Sequence, residues 1–569
     1  MNKADKYLCL SAFFVLLLMV ITACDSNQGD GLLTSEVNQD NRPLDTEKRP
    51  NILLIVLDDL GYTDLGIFGS EIQTPTIDSL ANQGVLLTNF YASSVCSPTR
   101  SMLFSGTDNH LAGLGNMNEA LAPNQRGRPG YEGHLNFRVV SLATLLRDAN
   151  YHTYMSGKWH LGEEKVTSPR ARGFDRSFAL VHGGGGHFND MGLDMDRKKA
   201  IYREDGNVVS LPADFYSTRS YTDKLIEYLS IPRNDGQPFF AYLAYTAPHW
   251  PLQAPEESIA MYKGKYNAGY DVIYERRLEQ MKQRGLLDEN VSVAPRLPGE
   301  PAWDELSASE KKIEARKMEI YAAMITDVDN NINRLLKFLE KANELDNTFI
   351  MFISDNGAEG APLDDWPVFG DFMKECCDNS YENMGRPNSY VFYGQNWGRV
   401  SSGPFRMYKG FTSEGGIRVP AFVSYPGLIL PGTKNHNFMT VMDIMPTFLE
   451  LAETNHPGKE YLGRTVLPMR GKSLLPDIND ENVATHGDDE WMGWEVFGKR
   501  AIRLADWKLV LMEEPHGNGD WELYNLQLDP GEQQNLASQH PEKLAEMIKL
   551  WEKYESDNGL IDAEGGIVF

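Results

Sequence analysis

The sequence predicts an α/β fold, with a large central sheet flanked by helices and a smaller α+β domain after it. Three observations point there. Apolar runs of strand length, opening with Asn51-Ile52-Leu53-Leu54-Ile55-Val56-Leu57, are continuous rather than alternating, as in strands buried on both faces. Helical periodicities fall between these runs, so strands and helices alternate along the chain. Polar clusters follow the apolar runs directly: Asp58-Asp59, Lys158 with His160, His249, and Asp355-Asn356. In parallel α/β sheets ligands bind at the carboxyl ends of the strands, so these scattered groups are predicted to meet at one edge.

At the N-terminus, residues 1–6 carry two lysines and Tyr7–Ile21 is an apolar run too short and poorly flanked for a comfortable membrane span, the pattern of a secretory signal peptide. Ile21-Thr22-Ala23-Cys24 is similar to a bacterial lipobox, which would make Cys24 the lipidated first residue of the mature chain; the alternative is an ordinary signal peptide with an incidental cysteine. Residues 1–24 are read as a lipoprotein signal peptide and 25–49, polar and nearly free of apolar side chains, as a flexible tether. The expected location is outside the cytoplasm, as a periplasmic or cell-envelope lipoprotein of a bacterium, with Asp25 leaving the choice of membrane open.

The main body is read as residues 50–458. After the first strand come a helix over Pro75–Gly84 with a glycine stop, a strand over Val85–Tyr91, a helix over Val139–Ala149, and strands at His152–Ser156 and Pro238–Tyr245. A long helix over Ser309–Lys341 carries an apolar stripe of Ile313, Tyr321, Met324, Val328, Ile332, Leu335 and Leu339, and feeds the strand Thr348–Ile353. A further strand spans Val419–Tyr425. From about residue 459 the texture changes: Trp494–Arg503, Trp507–Met512 and Trp521–Leu526 read as short strands with polar alternation, and Pro541–Glu555 as an amphipathic closing helix. Residues 459–569 are therefore expected to form a small α+β domain with an antiparallel sheet.

With 569 residues, 41% of them hydrophobic, the chain can bury one large core and a smaller one. The formal net charge of −26 repels nucleic acid, so no nucleic-acid partner is expected, and any anion pocket must be locally basic. The five cysteines are Cys9, Cys24, Cys96, Cys376 and Cys377, too few for a disulfide framework. The adjacent Cys376 and Cys377 are expected to be free.

Cys96 sits in Ser93-Ser94-Val95-Cys96-Ser97-Pro98-Thr99-Arg100-Ser101-Met102-Leu103, a loop that turns into a helix with Ser97 as its expected cap and Pro98 in the first turn. Free N–H groups there favour an anion, and Arg100 lies about one turn on. Alone, the stretch also fits an inert buried cysteine, or a thiolate with an arginine clamp, although cysteine phosphatases use a longer loop. Asp58, Asp59, Asp355 and Asn356 offer only oxygen ligands, which suits a hard cation; Ca²⁺ is expected ahead of Mg²⁺ because it tolerates irregular protein coordination. Each could instead cap a helix. His160 and His249 are candidates for acid–base work, with a His–Asp zinc site as the alternative. Lys409 reads from spacing alone as a surface lysine. Two further features are left unassigned: the glycine-rich loop Val181–Phe188 with His182 and His187, and the aromatic-rich segment Asn388–Tyr408, which could wall a pocket or merely pack.

Cys96-Ser97-Pro98-Thr99-Arg100 resembles the signature of type I sulfatases. So, in the same order, do Leu57-Asp58-Asp59-Leu60-Gly61, Gly106-Thr107-Asp108, Gly157-Lys158-Trp159-His160, Ala247-Pro248-His249-Trp250, Ser354-Asp355-Asn356-Gly357, Gly415–Pro420 and Glu522–Leu526 with Asp529–Glu532. Within that family the likeness is to Pseudomonas-type bacterial arylsulfatases, and it runs from about Pro50 to Ile561. It implies an alkaline-phosphatase-like fold, with a large mixed sheet sandwiched by helices, and hydrolysis of aryl or alkyl sulfate esters. It also implies conversion of Cys96 by a partner maturase to formylglycine, whose hydrate is the nucleophile and carries a covalent sulfo-enzyme intermediate. Asp58, Asp59, Cys96, Asp355 and Asn356 would bind one Ca²⁺. Arg100 and Lys158 would steady formylglycine and sulfate, Lys409 would contact sulfate, His249 would protonate the leaving oxygen, and His160 would assist release of sulfate. Thr99 stands where many relatives have Ser. Sulfated carbohydrates, and phosphate diesters or phosphonate monoesters handled by the same superfamily, remain alternative substrates.

Overall fold

In the computed structural model the described residues are 48–193, 198–233, 235–363, 367–427 and 429–564. The expected signal peptide with Cys24, and the expected tether up to residue 47, lie outside them.

Every residue of the first strand is buried, and alternate side chains feed two cores: Ile52, Leu54 and Val56 join one, Leu53, Ile55 and Leu57 the other. This strand, β1 (Asn51–Asp58), lies inside a ten-stranded sheet. The others, in chain order, are β2 (Val85–Leu87), β3 (His152–Lys158), β4 (Arg176–Leu180), β5 (Tyr202–Glu204), β6 (Asn207–Val209), β7 (Phe239–Pro248), β8 (Thr348–Ser354), β9 (Ala421–Ser424) and β10 (Thr433–Asn435). Their order across the sheet is β10-β2-β9-β8-β1-β7-β3-β4-β5-β6. The run β8-β1-β7-β3-β4 is parallel, while β9 is antiparallel to both neighbours and β5 and β6 add an antiparallel edge, so the sheet is mixed. Gly157 sits inside β3 at φ 123, where a Cβ would lie 1.8 Å from the Ala244 carbonyl oxygen of β7; only glycine lets the two backbones meet there.

Seven helices matter for the site and its support. They are α1 (Pro75–Asn82), α2 (Cys96–Ser105), α3 (Leu142–Asp148), α4 (Ser217–Leu229), α5 (Ala308–Lys341), α6 (Ile444–Leu451) and α7 (Pro541–Asn558). Buried side chains of α1, α4 and α5 enter one core; those of α2, α3 and α6 enter the other, so helices cover both faces. The long helix α5 starts at a capping box in which Ser307 Oγ accepts from the Glu310 N–H while Glu310 holds the Ser307 N–H. Its stripe is as expected except for Ile313, which is exposed in the first turns.

The C-terminal sheet is an antiparallel meander of β11 (Trp491–Val496), β12 (Lys499–Leu504), β13 (Trp507–Leu511) and β14 (Trp521–Asn525), with α7 packed on it through Met547, Trp551 and Tyr554. It is tied to the body by a fully buried ion cluster in which Lys508 lies 2.8 Å from Glu414 and 2.9 Å from Glu532.

Four expectations are corrected. Val85–Tyr91 is not one strand: after β2 the chain breaks at Thr88-Asn89, and Phe90–Tyr91 pairs with Met439–Thr440 outside the main sheet. Trp494–Arg503 is a hairpin, because Phe497 and Gly498 both adopt positive φ and turn the chain between β11 and β12. The helix expected over Val139–Ala149 begins only at Leu142. Cys376 and Cys377 are not free but are joined to each other in a disulfide at the end of the helix Pro367–Cys376.

Candidate active site

Four neighbouring parallel strands deliver the candidate residues to one edge. β8 ends at Ser354 and is followed by Asp355 and Asn356; β1 ends at Asp58, before Asp59; β7 ends at Pro248, before His249; and β3 ends at Lys158. Their C-terminal ends are in register, with Leu57 opposite Ser354 and Asp58 opposite Pro248. Sequence positions nearly 300 apart are thus brought within hydrogen-bond reach: the Asn356 side-chain amide donates to Asp59 Oδ1 at 2.7 Å.

Cys96 faces this edge from the first turn of α2. The helix starts two residues earlier than expected: Val95, not Ser97, is its N-cap, and no side chain caps it. Thr99 does the tying instead, its Oγ1 accepting from the Ser93 N–H at 2.8 Å and its hydroxyl donating to the Ser93 carbonyl at 3.2 Å. Pro98 costs nothing there, since the first N–H groups of a helix have no internal partner. Further along, Phe104 wedges α2 against Trp159 and Tyr242. Cys96 is 1% exposed, and its thiol donates to Asp58 Oδ1 at 3.3 Å. Burial, reinforced by Asp58, pushes the thiol well above its ordinary pKa, so a thiolate nucleophile does not fit this position.

Charge alternates closely around the thiol. Lys158 Nζ lies 2.6 Å from Asp58 Oδ2, and Lys409 Nζ lies 2.9 Å from Asp59 and 3.3 Å from Glu359. Lys409 is therefore a buried site residue rather than a surface lysine. Both ammonium groups are held charged: burial opposes this most strongly, but Asp58, Cys96 and Asp355 together overcome it for Lys158, and Asp59, Cys96, Glu359 and Asp58 together do so for Lys409. Asp59 itself is driven down to about 2, because Lys409, His249 and Lys158 together overcome its burial. Arg100 is entirely buried and spent on the scaffold: Nε and Nη2 clasp Asp355 Oδ2 at 2.9 and 2.8 Å, and Nη1 donates to the Lys158 carbonyl at 2.8 Å. It fixes Asp355 and the end of β3 together.

The histidines divide. His249 Nδ1 donates to the Trp250 carbonyl at 2.6 Å, which leaves Nε2 toward Asp59 at 3.7 Å. Burial pushes its pKa well down despite Asp59. His160 pairs with Glu119 at 3.0 Å. His182 lines the same pocket, whereas His187 is buried behind it, between Ser217 and the His249 carbonyl, as a support. Asp59, His160 and Met407, the last of these two residues before Lys409, hold positive φ without being glycine, so the site carries local backbone strain.

One pocket unites Cys96, His160, His249 and Lys409 with Met117, Glu119, His182, Leu193, Trp250, Glu359 and Phe369. The glycine-rich loop forms its lid. A Cβ on Gly183 would fall 2.8 Å from the His160 ring, and one on Gly184 3.1 Å from that of His249. None of the aromatics of Asn388–Tyr408 lines this pocket; Tyr390 and Phe392 pack behind Trp250. Glu119, Glu359, Met117, Leu193 and Phe369 were not found from sequence: Glu359 lies just past the Asp355-Asn356 pair that drew attention after β8, and the others neither follow a strand directly nor belong to a recognisable motif.

The residues gathered here could hold a metal ion. Ligand atoms of Asp58, Asp59, Cys96 and His249 lie within 4.8 Å of one another. Asn356 Nδ2 is committed to Asp59 Oδ1 and the Gly357 carbonyl, which fixes the amide and leaves Asn356 Oδ1 buried without a hydrogen-bond partner. A buried acceptor without a donor is what a cation would satisfy. Asp355 Oδ1 accepts only a long 3.4 Å bond from the Asp59 N–H.

The comparisons with known proteins agree with this geometry. The sulfatase family profile matches residues 50–454, and the profile of the C-terminal region of N-sulphoglucosamine sulphohydrolase matches 403–556. The chain is 47% identical to an uncharacterized sulfatase of Schizosaccharomyces pombe, over 92% of this chain and 96% of that one. It is 39% identical to an arylsulfatase of Klebsiella aerogenes, over 75% and 92%. A crystal structure of Ps i-CgsB in complex with k-i-k-neocarrahexaose superposes with a TM-score of 0.64 at 25% identity, covering 91% of this chain and 95% of that one. With a buried cysteine, lysines and histidines gathered round strand-end carboxylates, and with matches spanning nearly the whole body, the chain belongs to the sulfatase family.

Proposed function

We propose that this sulfatase releases inorganic sulfate from aryl or alkyl sulfate esters, after a maturase converts Cys96 to formylglycine. The observation that carries the reading is the seating of Cys96: it is enclosed, kept protonated as a thiol, and ringed by Asp58, Lys158, Lys409 and His249. The hydrated aldehyde would supply two hydroxyls, one to attack sulfur and one to let the enzyme release sulfate afterwards. Asp58, Asp59, Asp355 and Asn356, together with the converted Cys96 side chain, would hold one Ca²⁺, which would contribute positive charge where the ester oxygens sit.

The chain's own groups do the rest. Lys158 and Lys409 present two ammonium groups to an incoming sulfuryl group, stabilising charge as it grows on the oxygens. His249 Nε2 is the nitrogen left open by the Trp250 carbonyl; a bound anion favours its protonation, and it then gives that proton to the leaving oxygen. Arg100 orients Asp355 and opposes the rise in its pKa that burial and Asp58 cause. Met117, Leu193, Trp250 and Phe369 give the leaving group an apolar wall, which supports an aryl or alkyl ester over a sugar. A sulfated carbohydrate is the second reading, supported by the Ps i-CgsB complex with k-i-k-neocarrahexaose. The reading includes export and anchoring through a lipidated Cys24.

Parallel rates on a chromogenic aryl sulfate, an alkyl sulfate, a sulfated oligosaccharide and a matched phosphate diester test the substrate, using protein co-expressed with the maturase. The reading expects the highest kcat/KM on the aryl or alkyl sulfate. A clear preference for the oligosaccharide would move the assignment to the second reading, and a preference for the phosphate diester would overturn both.

A further inference from the structure

His160 lies two residues past β3 in the left-handed region, at φ 56, so something must over-determine its position. Two contacts do. Glu119, from the single turn Asn118–Ala120, holds His160 Nε2 through Oε1 at 3.0 Å. Gly183 closes over both, since a Cβ there would lie 2.8 Å from His160 Cε1 and 2.9 Å from Glu119 Oε1. A carboxylate oxygen only accepts, so the proton of the neutral ring is on Nε2 and the lone pair on Nδ1. His160 Nδ1 is buried with no hydrogen-bond partner, in a residue only 6% exposed that shares a pocket with Cys96. One imidazole nitrogen fixed by a carboxylate and the other unspent is the arrangement of a base with its orienting group.

We propose that Glu119 is a positioning residue for His160, its carboxylate fixing the ring's tautomer and orientation so that Nδ1 takes up a proton during turnover. The proposal rests on the reading that His160 serves the reaction. In the step a donor hydroxyl loses its proton, the O–H electron pair stays on oxygen, and the new N–H forms at Nδ1. The imidazolium is paired with Glu119 until the proton passes to solvent. The charged groups acting on the ring are Glu119, Lys158 and Arg100; His182, in the same pocket, has its own carboxylate in Glu163 at 3.5 Å. Burial holds the ring below its ordinary pKa and Glu119 opposes that, so the ring is neutral and able to accept.

The test compares Glu119→Gln, Glu119→Asp, His160→Asn and the double variant Glu119→Gln/His160→Asn in matured enzyme, with ¹⁵N spectra of histidine-labelled protein assigned through His160→Asn. Glu119→Gln is expected to lower kcat roughly 10- to 100-fold, with KM changed less than about threefold and thermal stability kept. Glu119→Asp recovers part of the loss, the double variant is no slower than His160→Asn, and the His160 ring shifts from the Nε2–H tautomer to a mixture. Full kcat in Glu119→Gln, additive losses in the double variant, or an unchanged His160 ring signal would each overturn the proposal. Full activity in His160→Asn would instead remove the role given to His160, while the ring spectrum still decides whether Glu119 sets its tautomer.

Discussion

Single side chains at this site satisfy two demands at once, and Arg100 shows how. Its guanidinium is spent on Asp355, the Lys158 carbonyl and the Tyr242 hydroxyl, all buried. Removing one member of a buried pair strands the other, so Arg100→Met should lower folding stability by about 3–5 kcal/mol, in addition to any loss of rate. Urea unfolding of the variant checks this; unchanged stability would mean that Asp355 finds another partner. The roles of Lys158 and Lys409 follow from where their ammonium groups rest, against Asp58 and Asp59. Lys409 could not be placed from spacing, because the loop that carries it follows no strand. Glu119 and Glu359 were invisible because a lone glutamate in a loop carries no periodic signal.

At the scale of elements, the site exists because four parallel strands end together. That much was legible, since continuous apolar runs ending in Asp-Asp, Lys, His and Asp-Asn leave little choice about where those groups go. Turn chemistry was less legible. Phe497-Gly498 makes a hairpin turn although it lacks the Asn-Gly or Asp-Gly signal, and the break at Thr88-Asn89 depends on pairing with a segment about 350 residues away. Close approach of backbones was not legible at all. Gly157→Ala is expected to fail to fold or to lose most of its stability, because its Cβ would meet the Ala244 carbonyl at 1.8 Å in a left-handed backbone conformation; thermal unfolding reads this out. Gly183→Ala is a milder perturbation. It should fold, because its neighbours are side-chain tips, but show reduced kcat as the His160 ring is displaced; normal kcat would show that the lid tolerates the methyl group.

Across the whole molecule, the C-terminal domain is locked to the body by buried charge. His110 is held between Asp108 at 2.9 Å and Glu495 of β11 at 3.2 Å, while Tyr554 of α7 donates to the other oxygen of Asp108. Burial alone would lower the pKa of His110, but the two carboxylates outweigh it and raise it to about 9. A folded-state value above the unfolded one means that this stabilisation is fully present below about 6.5 and is lost as pH rises through about 9. The thermal midpoint should therefore fall between pH 7 and pH 10, and His110→Gln should flatten that slope. An equally steep slope in the variant would place the alkaline sensitivity elsewhere. Chelation should lower the thermal midpoint as well as the activity, with Ca²⁺ restoring both, because cation binding is linked to the folded state. The central claim is that Cys96, once converted, is the nucleophile. The most direct measurement is sulfate release from a chromogenic aryl sulfate by maturase-co-expressed protein, with conversion of the Cys96 peptide followed by mass spectrometry, beside Cys96→Ala. The account predicts turnover that tracks the converted fraction and vanishes in Cys96→Ala; undiminished turnover in Cys96→Ala would contradict it.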